Sequence, residues 1–191
     1  MKATTFFLFI MSFFRELCFS QLPVKDWDAA FGGTKHDQMR AIKHTADGGY
    51  IVGGFSPSNA NGSKSEPSKG GDDFWIVRTD SNGVKLWDKV FGGSEDDLLT
   101  SLETTFDSGY ILGGYSRSGI SGDKSEPSQG QNDFWIVKTD ADGNKQWDKR
   151  YGGNSQDYLT TIFQTADSGF ILGGYTSSLV SGDVRKKKKG F

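Results

Sequence analysis

The stretch Trp-Asp-Lys-Val-Phe-Gly-Gly at residues 87–93 returns as Trp-Asp-Lys-Arg-Tyr-Gly-Gly at residues 147–153. Trp27 stands one further step of sixty residues before them. Aligned without a gap, residues 27–86 and 87–146 match at 31 of 60 positions. A fixed period of this length is typical of stacked supersecondary units. Side chains that recur in every unit are therefore expected to build the scaffold.

Each unit carries the pattern of four short strands. In the second unit these are expected at residues 98–105, 110–116, 134–139 and 145–151. Short turns rich in Asp and Gly separate the first and last pairs, and a long loop rich in Ser and Gly joins the middle two. Four antiparallel strands per sixty residues predict an all-β fold made of propeller blades.

Two sets of recurring residues are expected to form the structure between blades. The glycine pairs suggest close approach of a neighbouring backbone or ring, and the tryptophans lie at the centres of apolar strands, where burial is expected more than ligand stacking. These structural positions are Gly53, Gly54, Gly113, Gly114, Gly173 and Gly174, together with Trp27, Trp87, Trp147, Trp75 and Trp135.

The order of these features resembles the kelch repeat. Gly-Tyr-Ile-Leu-Gly-Gly at 109–114, Phe-Trp-Ile-Val at 134–137 and the downstream Trp147 carry the resemblance. More closely, the segments look like repeats of large exported bacterial proteins, which are often sent out by type IX secretion and carry a C-terminal sorting domain. The resemblance covers about residues 26–183, which do not include a sorting domain. It implies an exported, kelch-like β-propeller.

Counting strands predicts an incomplete array of about two and a half blades. Residues 26–33 are expected as a lone strand, followed by unit 1 (34–93), unit 2 (94–153) and a partial unit 3 (154–183). Because propellers close with about four to eight blades, the chain is expected to be a fragment forming an open arc. Its exposed blade edges could then associate with other chains.

The two ends fall outside the repeat. Residues 1–20 combine Lys2, an apolar run over 6–14 and small residues before Gln21, which predicts a secretory signal peptide cut after Ser20. The apolar run is far shorter than the roughly 18 residues that span a membrane. Residues 184–191 form a basic tail that breaks the repeat and is expected to have no selected role. We therefore expect a secreted or cell-surface protein.

Composition excludes several functions. Residues 21–183 hold 15 basic and 23 acidic residues, a net charge of −8, which argues against a nucleic-acid surface. The single cysteine, Cys18, lies in the predicted signal peptide, and the two histidines, His36 and His44, lie in unit 1. No Cys/His zinc pattern and no nucleophile motif accompany them.

The long loops and the links between units share one end of the blades, and this end is acidic. Asp97, Asp123 and Asp133 are the candidates there for a calcium site. A solvated loop with aspartate caps explains the same residues more simply, so no cofactor is expected. Any binding site is expected among these variable loops.

The sequence favours a non-enzymatic binding scaffold with an extracellular glycan or protein as partner. A fragment of a secreted carbohydrate-active enzyme, or a lectin-like sugar-binding module, is the alternative, because paired carboxylates are abundant. Carboxylates that recur in every unit are better explained by turns.

Overall fold

The computed structural model of the chain describes residues 27–185. Over these residues the fold is all-β, with ten strands in antiparallel sheets of four, four and two, and no sheet closes on itself. No helix in this part of the chain is long and apolar enough to cross a membrane. The predicted signal peptide and the tail from residue 186 onward lie outside the described residues.

Each sheet is a simple up-and-down meander in chain order. Unit 1 contains β1 (Gln38–His44), β2 (Tyr50–Ser56), β3 (Asp73–Thr79) and β4 (Lys85–Phe91). Unit 2 contains β5 (Asp97–Thr104), β6 (Tyr110–Ser116), β7 (Asp133–Thr139) and β8 (Lys145–Tyr151). Unit 3 contains β9 (Asp157–Gln164) and β10 (Phe170–Thr176). The predicted four strands per unit, and two in unit 3, are confirmed.

The expected lone strand at the start of the repeat is wrong for the described residues. Residues 27–33 lie in no strand. Phe31 nevertheless packs against the buried cluster of Trp75, Val77 and Val90 on one face of unit 1. The segment thus covers apolar surface without adding to the hydrogen-bonded ladder.

Successive sheets pack face to face, and we call their contacts the first junction (units 1 and 2) and the second junction (units 2 and 3). The first junction is a continuous apolar core made of Ile51, Phe74, Ile76, Phe91, Leu99, Leu102, Tyr110, Leu112, Trp135 and Val137. The second is smaller and contains Ile111, Ile136, Leu159 and Ile162, with Phe134, Phe170 and Leu172 beside them. Because the middle strands are covered on both faces, their apolar runs are continuous rather than alternating.

The glycine pairs lie where backbones and rings come close. A Cβ on Gly114 would collide with the carbonyl oxygen of Leu98 and would lie 2.8 Å from the ring of Phe74, a residue of unit 1. A Cβ on Gly174 would likewise collide with the carbonyl oxygen of Tyr158, and it would lie 2.6 Å from the ring of Phe134. Glycine at this position therefore lets an aromatic ring of one sheet lie directly on the next.

Each first strand of a unit carries a β-bulge at the same position. The register between β5 and β6 breaks between Leu99 and Ser101, which leaves Thr100 as the extra residue. The hydroxyl of Thr100 donates to the carbonyl oxygen of Leu159 in β9 at 2.7 Å. A bulge thus connects neighbouring sheets by a hydrogen bond.

The turn between the first two strands of a unit contains one residue with positive φ. Positive φ falls on Ser108 (φ 65°) and Ser168 (φ 68°), not on the glycine that follows each of them. In unit 1 the same position is Gly48 (φ 86°). Gly109 is needed for space, because a Cβ there would collide with the carbonyl oxygen of Thr139.

Candidate functional site

The array has two ends with different chemistry. The long loops and the links between units form the loop end, and the short turns form the turn end. In the middle of β4, Asp88 accepts hydrogen bonds from the indole N–H of Trp75 and from the backbone N–H of Ser65 in the long loop, both at 2.9 Å. Asp148 makes the equivalent bonds in unit 2. The hydrogen bonds of these two aspartates hold each long loop against its sheet.

The calcium candidate Asp97 is fully buried and serves the link between units. Its Oδ2 accepts the backbone N–H of Gly93 at 2.6 Å and the hydroxyl of Ser118 at 2.9 Å. Burial raises its pKa above the usual range for a carboxyl. Asp97 therefore holds the link against the long loop of unit 2.

The other two candidates have similar structural partners. Asp123 forms an ion pair with Lys69 and accepts the backbone N–H of Gly92 at 3.1 Å. Asp133 is buried, accepts the backbone N–H of Gln129 at 2.5 Å, and has a pKa that burial raises. Across residues 27–185 no group of three or more His, Cys, Asp or Glu side chains could hold a metal ion. The three candidates are thus not assembled as one ligand set.

Buried carboxylates recur at both junctions. Four of them keep one oxygen, Oδ1, without a hydrogen-bond partner among the described residues: Asp73, Asp97, Asp133 and Asp157. Burial raises the pKa of Asp73 to about 7, and the charge of Asp97 adds to the effect. Asp73 is therefore about half protonated at neutral pH, although no part of it is exposed to solvent.

Buried lysines lie beside these carboxylates in units 1 and 2. Lys124 donates to the carbonyl oxygen of Glu126 at 2.7 Å, and Lys64 donates to that of Ser58 at 2.7 Å. Burial lowers the pKa of both lysines, and the nearby aspartates oppose this effect. At the loop end the positive charges of the buried lysines therefore offset the negative charges of the buried carboxylates.

Two cavities with ligand-sized space lie at the turn end, and a third of about 390 Å³ lies beside the bulges of β5 and β9, next to Tyr115 and Tyr158. A groove of about 620 Å³ crosses the first junction, and we call it groove 1. Its lining includes Asp47, Arg78, Trp87, Phe106, Tyr110 and Asp142. Groove 2, of about 530 Å³, crosses the second junction, and its lining includes Phe106, Asp107, Lys138, Trp147, Gln164 and Phe170. Most of these residues correspond with a shift of sixty positions.

An aromatic pair forms one wall of each groove. Trp87 meets Tyr110 edge to face with ring centroids 6.0 Å apart, and Trp147 meets Phe170 at 5.9 Å. The interplanar angle is 62° in both pairs. Trp27 repeats the arrangement with Tyr50 at 5.6 Å. The tryptophan of each unit therefore packs against the unit that follows it.

A cation–carboxylate pair forms the floor of each groove. In groove 1, Arg78 binds Asp47 and donates to the carbonyl oxygen of Tyr50 at 3.3 Å. In groove 2, Lys138 binds Asp107 at 2.9 Å. A hydrogen bond from Thr105, followed by one from Lys138, lowers the pKa of Asp107 to about 2. Asp47 and Asp107 are therefore ionised at neutral pH and exposed enough to accept hydrogen bonds from a ligand.

Phe106 forms the ridge between the two grooves. It lines both of them and is 70% exposed. Its backbone N–H donates to the side chain of Gln164 in unit 3 at 2.8 Å, which fixes the turn across the second junction. Alanine occupies the equivalent positions 46 and 166. An exposed ring between two grooves is suited to contact a ligand that extends over both.

The expected burial of the tryptophans is right for one set and wrong for part of the other. Trp75 and Trp135 are fully buried. Trp27 and Trp147 are 39% and 37% exposed, because these rings lie at the turn end. Trp87 is half-buried, and Gly143 of the next unit lies against its ring as Gly83 lies against the ring of Trp27.

Comparison with known proteins adds no relative. No protein-family model matches the sequence, and no curated protein matches it significantly.

Sequence reasoning placed the binding surface at the loop end and missed the grooves. The signal that could have found them is the recurrence of three groups: Trp at 87 and 147, an aromatic residue at 110 and 170, and a cation at 78 and 138. The tryptophan and the cation belong to one sheet and the aromatic residue to the next, so these groups meet only through the way in which the two sheets pack.

Proposed function

We propose that this protein is an exported, non-enzymatic binding scaffold whose sheets are blades of a kelch-like β-propeller. On this proposal residues 1–20 are removed after Ser20, and the chain is secreted or held at the cell surface. Four-stranded meanders stacked face to face, with apolar cores between them, support the propeller. The ligand lies at the turn end, across grooves 1 and 2.

One observation carries the proposal: the groove recurs with the period of the repeat. Each copy combines an aromatic pair, an ionised carboxylate and a buried cation. Two similar sites on one rigid surface favour an extended ligand that binds both, because the second contact is then intramolecular. Concave sites with a few placed polar groups are the usual form of ligand sites.

The titratable groups of the grooves support binding rather than acid–base catalysis. Hydrogen bonds and the paired cation lower the pKa values of Asp47 and Asp107, so neither is set to donate a proton near neutral pH. The carboxyl with a pKa near 7, Asp73, has no exposed surface that a substrate could reach.

A lectin-like sugar-binding role is the second candidate, and the lining of the grooves favours it. Aromatic faces contact the apolar face of a sugar ring, while carboxylates and hydroxyls bind its hydroxyl groups. Groove 1 offers Trp87, Asp47 and Asp142 within one concave surface. A protein partner would use the same aromatic ridge, so a direct screen has to separate the two.

The test is a screen of the full chain against arrays of glycans and extracellular proteins. We expect Phe106→Ala to weaken binding to the best ligand by about tenfold or more, because it removes the contact shared by both grooves. Leu179→Ala is the matched control, since Leu179 is also an exposed apolar loop residue but lies at the loop end. Circular dichroism checks that both variants fold.

Binding to a glycan would select the lectin-like role, and binding to a protein would select the general scaffold. The groove proposal fails if Leu179→Ala weakens binding as much as Phe106→Ala does. It also fails if the chain binds nothing on either array.

A further inference from the structure

The outer edge of β10 is unpaired within residues 27–185, unlike the equivalent edges of β2 and β6. Those two strands pair along their whole length with β3 and β7. The sequence of β10, Phe-Ile-Leu-Gly-Gly-Tyr-Thr, is nearly that of β6, Tyr-Ile-Leu-Gly-Gly-Tyr-Ser. The edge of β10 therefore presents the same backbone template and the same side chains as an edge that accepts a strand in unit 2.

An open cavity of about 310 Å³ adjoins this edge, between units 2 and 3. It is lined by Ile136, Trp147, Lys149, Tyr151, Phe170 and Leu172. Sixty positions earlier the corresponding residues are Ile76, Trp87, Lys89, Phe91, Tyr110 and Leu112. All four of Ile76, Phe91, Tyr110 and Leu112 belong to the buried core of the first junction. The cavity is thus the counterpart of a space that is filled one unit earlier.

Strand β7 fills that space at the first junction. Trp135 and Val137 point into the core, and the indole of Trp135 lies 4.8 Å from the ring of Phe74. At the second junction Phe134 lies against Gly174 as Phe74 lies against Gly114, but no tryptophan covers it among the described residues.

The exposed fractions show the difference. Phe91, at the first junction, is 5% exposed, whereas its counterpart Tyr151 is 42% exposed. The two residues lie at the same strand position and differ chiefly by a hydroxyl group. Tyr151 is therefore exposed because no strand covers it among the described residues. The equivalent position in the first junction shows which kind of strand fits there.

We propose that the edge of β10 and the adjoining cavity form an acceptor site for a β-hairpin of the β7–β8 type. Its first strand, with the pattern Asp-Phe-Trp-Ile-Val-Lys-Thr, pairs antiparallel with β10. The register follows that of β6 and β7, in which Leu112 faces Val137 and Gly114 faces Trp135. The incoming valine then lies opposite Leu172, and the incoming tryptophan lies opposite Gly174.

Two kinds of interaction give this site affinity and selectivity. Backbone hydrogen bonds along β10 bind any extended strand, as in β-strand addition to an open sheet edge. The cavity beside Tyr151 selects a strand whose third residue is a large aromatic, because that side chain reaches Phe134 and removes apolar surface from water. The cavity shares Trp147 and Phe170 with groove 2, but the unpaired edge of β10 and the exposure of Tyr151 do not depend on the proposed ligand of the turn end.

The test uses the full chain and a fluorescein-labelled synthetic peptide carrying residues 133–151. Fluorescence anisotropy is expected to show saturable binding to one site per chain. The same peptide with Trp135→Ala is expected to bind about tenfold more weakly or worse, because it cannot fill the cavity.

A matched pair of protein variants locates the site. Tyr151→Lys places a charge in the cavity and is expected to weaken peptide binding by about tenfold. Phe163→Lys is the control: Phe163 is also exposed, and the equivalent positions hold Lys43 and Glu103, so this position is polar in the other units. Both changes are at exposed side chains, and circular dichroism verifies that the fold is kept.

Three results would overturn the proposal. One is the absence of saturable binding at peptide concentrations up to about 1 mM. Another is equal binding of the peptide with and without Trp135. The third is a chain that forms dimers, seen by sedimentation velocity, which Tyr151→Lys dissociates while the peptide does not bind; the occupant would then be a folded second copy and not a hairpin.

Discussion

The two junctions are built from nearly the same residues, yet only one of them is closed. At the first junction, between two complete sheets, Phe91 is 5% exposed. At the second junction the facing sheet has two strands, and the counterpart Tyr151 is 42% exposed. The difference teaches that burial in a stacked array depends on the neighbouring unit and not on the strand's own sequence.

The largest effect is expected from removing the aromatic that closes the first junction. Trp135→Ala leaves a cavity against Phe74 and should lower the free energy of unfolding by about 3–5 kcal/mol. Trp147→Ala should lower it by less than about 1 kcal/mol, because Trp147 is partly exposed at the turn end. Urea unfolding of the two variants measures the difference, and similar losses would break the comparison between the junctions.

A smaller loss is expected from adding a methyl group where the sheets touch. In Gly114→Ala the new Cβ meets the carbonyl oxygen of Leu98 and the ring of Phe74, so we expect a loss of about 2–3 kcal/mol. Gly119→Ala is the control, because a Cβ there would meet no atom within 4 Å and the φ of Gly119 is ordinary. Chemical denaturation should show little change for Gly119→Ala, and an equal loss there would contradict the role of close packing.

The buried carboxyl of the first junction should make stability depend on pH. The pKa of Asp73 is about 7 in the fold and about 3.8 in the unfolded chain. Between these values the folded state binds more protons, so its stability falls as pH rises and levels off above pH 7. Between pH 5 and pH 8 we expect the free energy of unfolding to fall by about 2 kcal/mol more in the wild type than in Asp73→Asn.

Unfolding free energies of the wild type and Asp73→Asn across this range measure the effect. Asp133→Asn provides the comparison at the second junction, where burial also raises the pKa of the carboxyl. Parallel pH profiles for the wild type and Asp73→Asn would show that Asp73 is ionised throughout.

The smallest effect concerns the turn that differs between the units. Ser108 adopts a left-handed conformation that costs a side-chain residue about 1 kcal/mol, while glycine loses more freedom on folding. Ser108→Gly should therefore raise the unfolding free energy by about 0.5 kcal/mol. The reciprocal change, Gly48→Ser, should lower it by a similar amount, and thermal melting would reveal a wrong sign in either variant.

The strands could be predicted from the sequence because each one carries its own pattern. The bounds of β6 and β8 agree with the prediction, whereas β5 and β7 begin one residue earlier, at Asp97 and Asp133. The backbone N–H of Asp97 donates to the carbonyl oxygen of Asp72 at 2.5 Å, so the strand starts with a contact from the previous unit. No local pattern reports such a contact.

The candidate site could not be predicted for the same reason. Trp87 and Tyr110 belong to different sheets, and their distance depends on how far one sheet is displaced along the other. The prediction favoured the acidic loop end because charged residues can be read directly from a sequence. The hydrogen-bond partners of these carboxylates, such as Ser118 for Asp97, become known only from the fold.

The bulge at Thr100 bears on how such an array can change in evolution. Its hydroxyl donates to the carbonyl oxygen of Leu159 in the next unit at 2.7 Å and more weakly to that of Gly113 in its own unit at 3.3 Å. The equivalent Thr160 donates to Gly173 within unit 3 at 3.1 Å. Unit 1 has Arg40 at this position, so the connection is made only where a unit carries the threonine. A gene segment of one period brings both the donor and the acceptor with it, and the number of units can therefore change by duplication or deletion while this contact is kept.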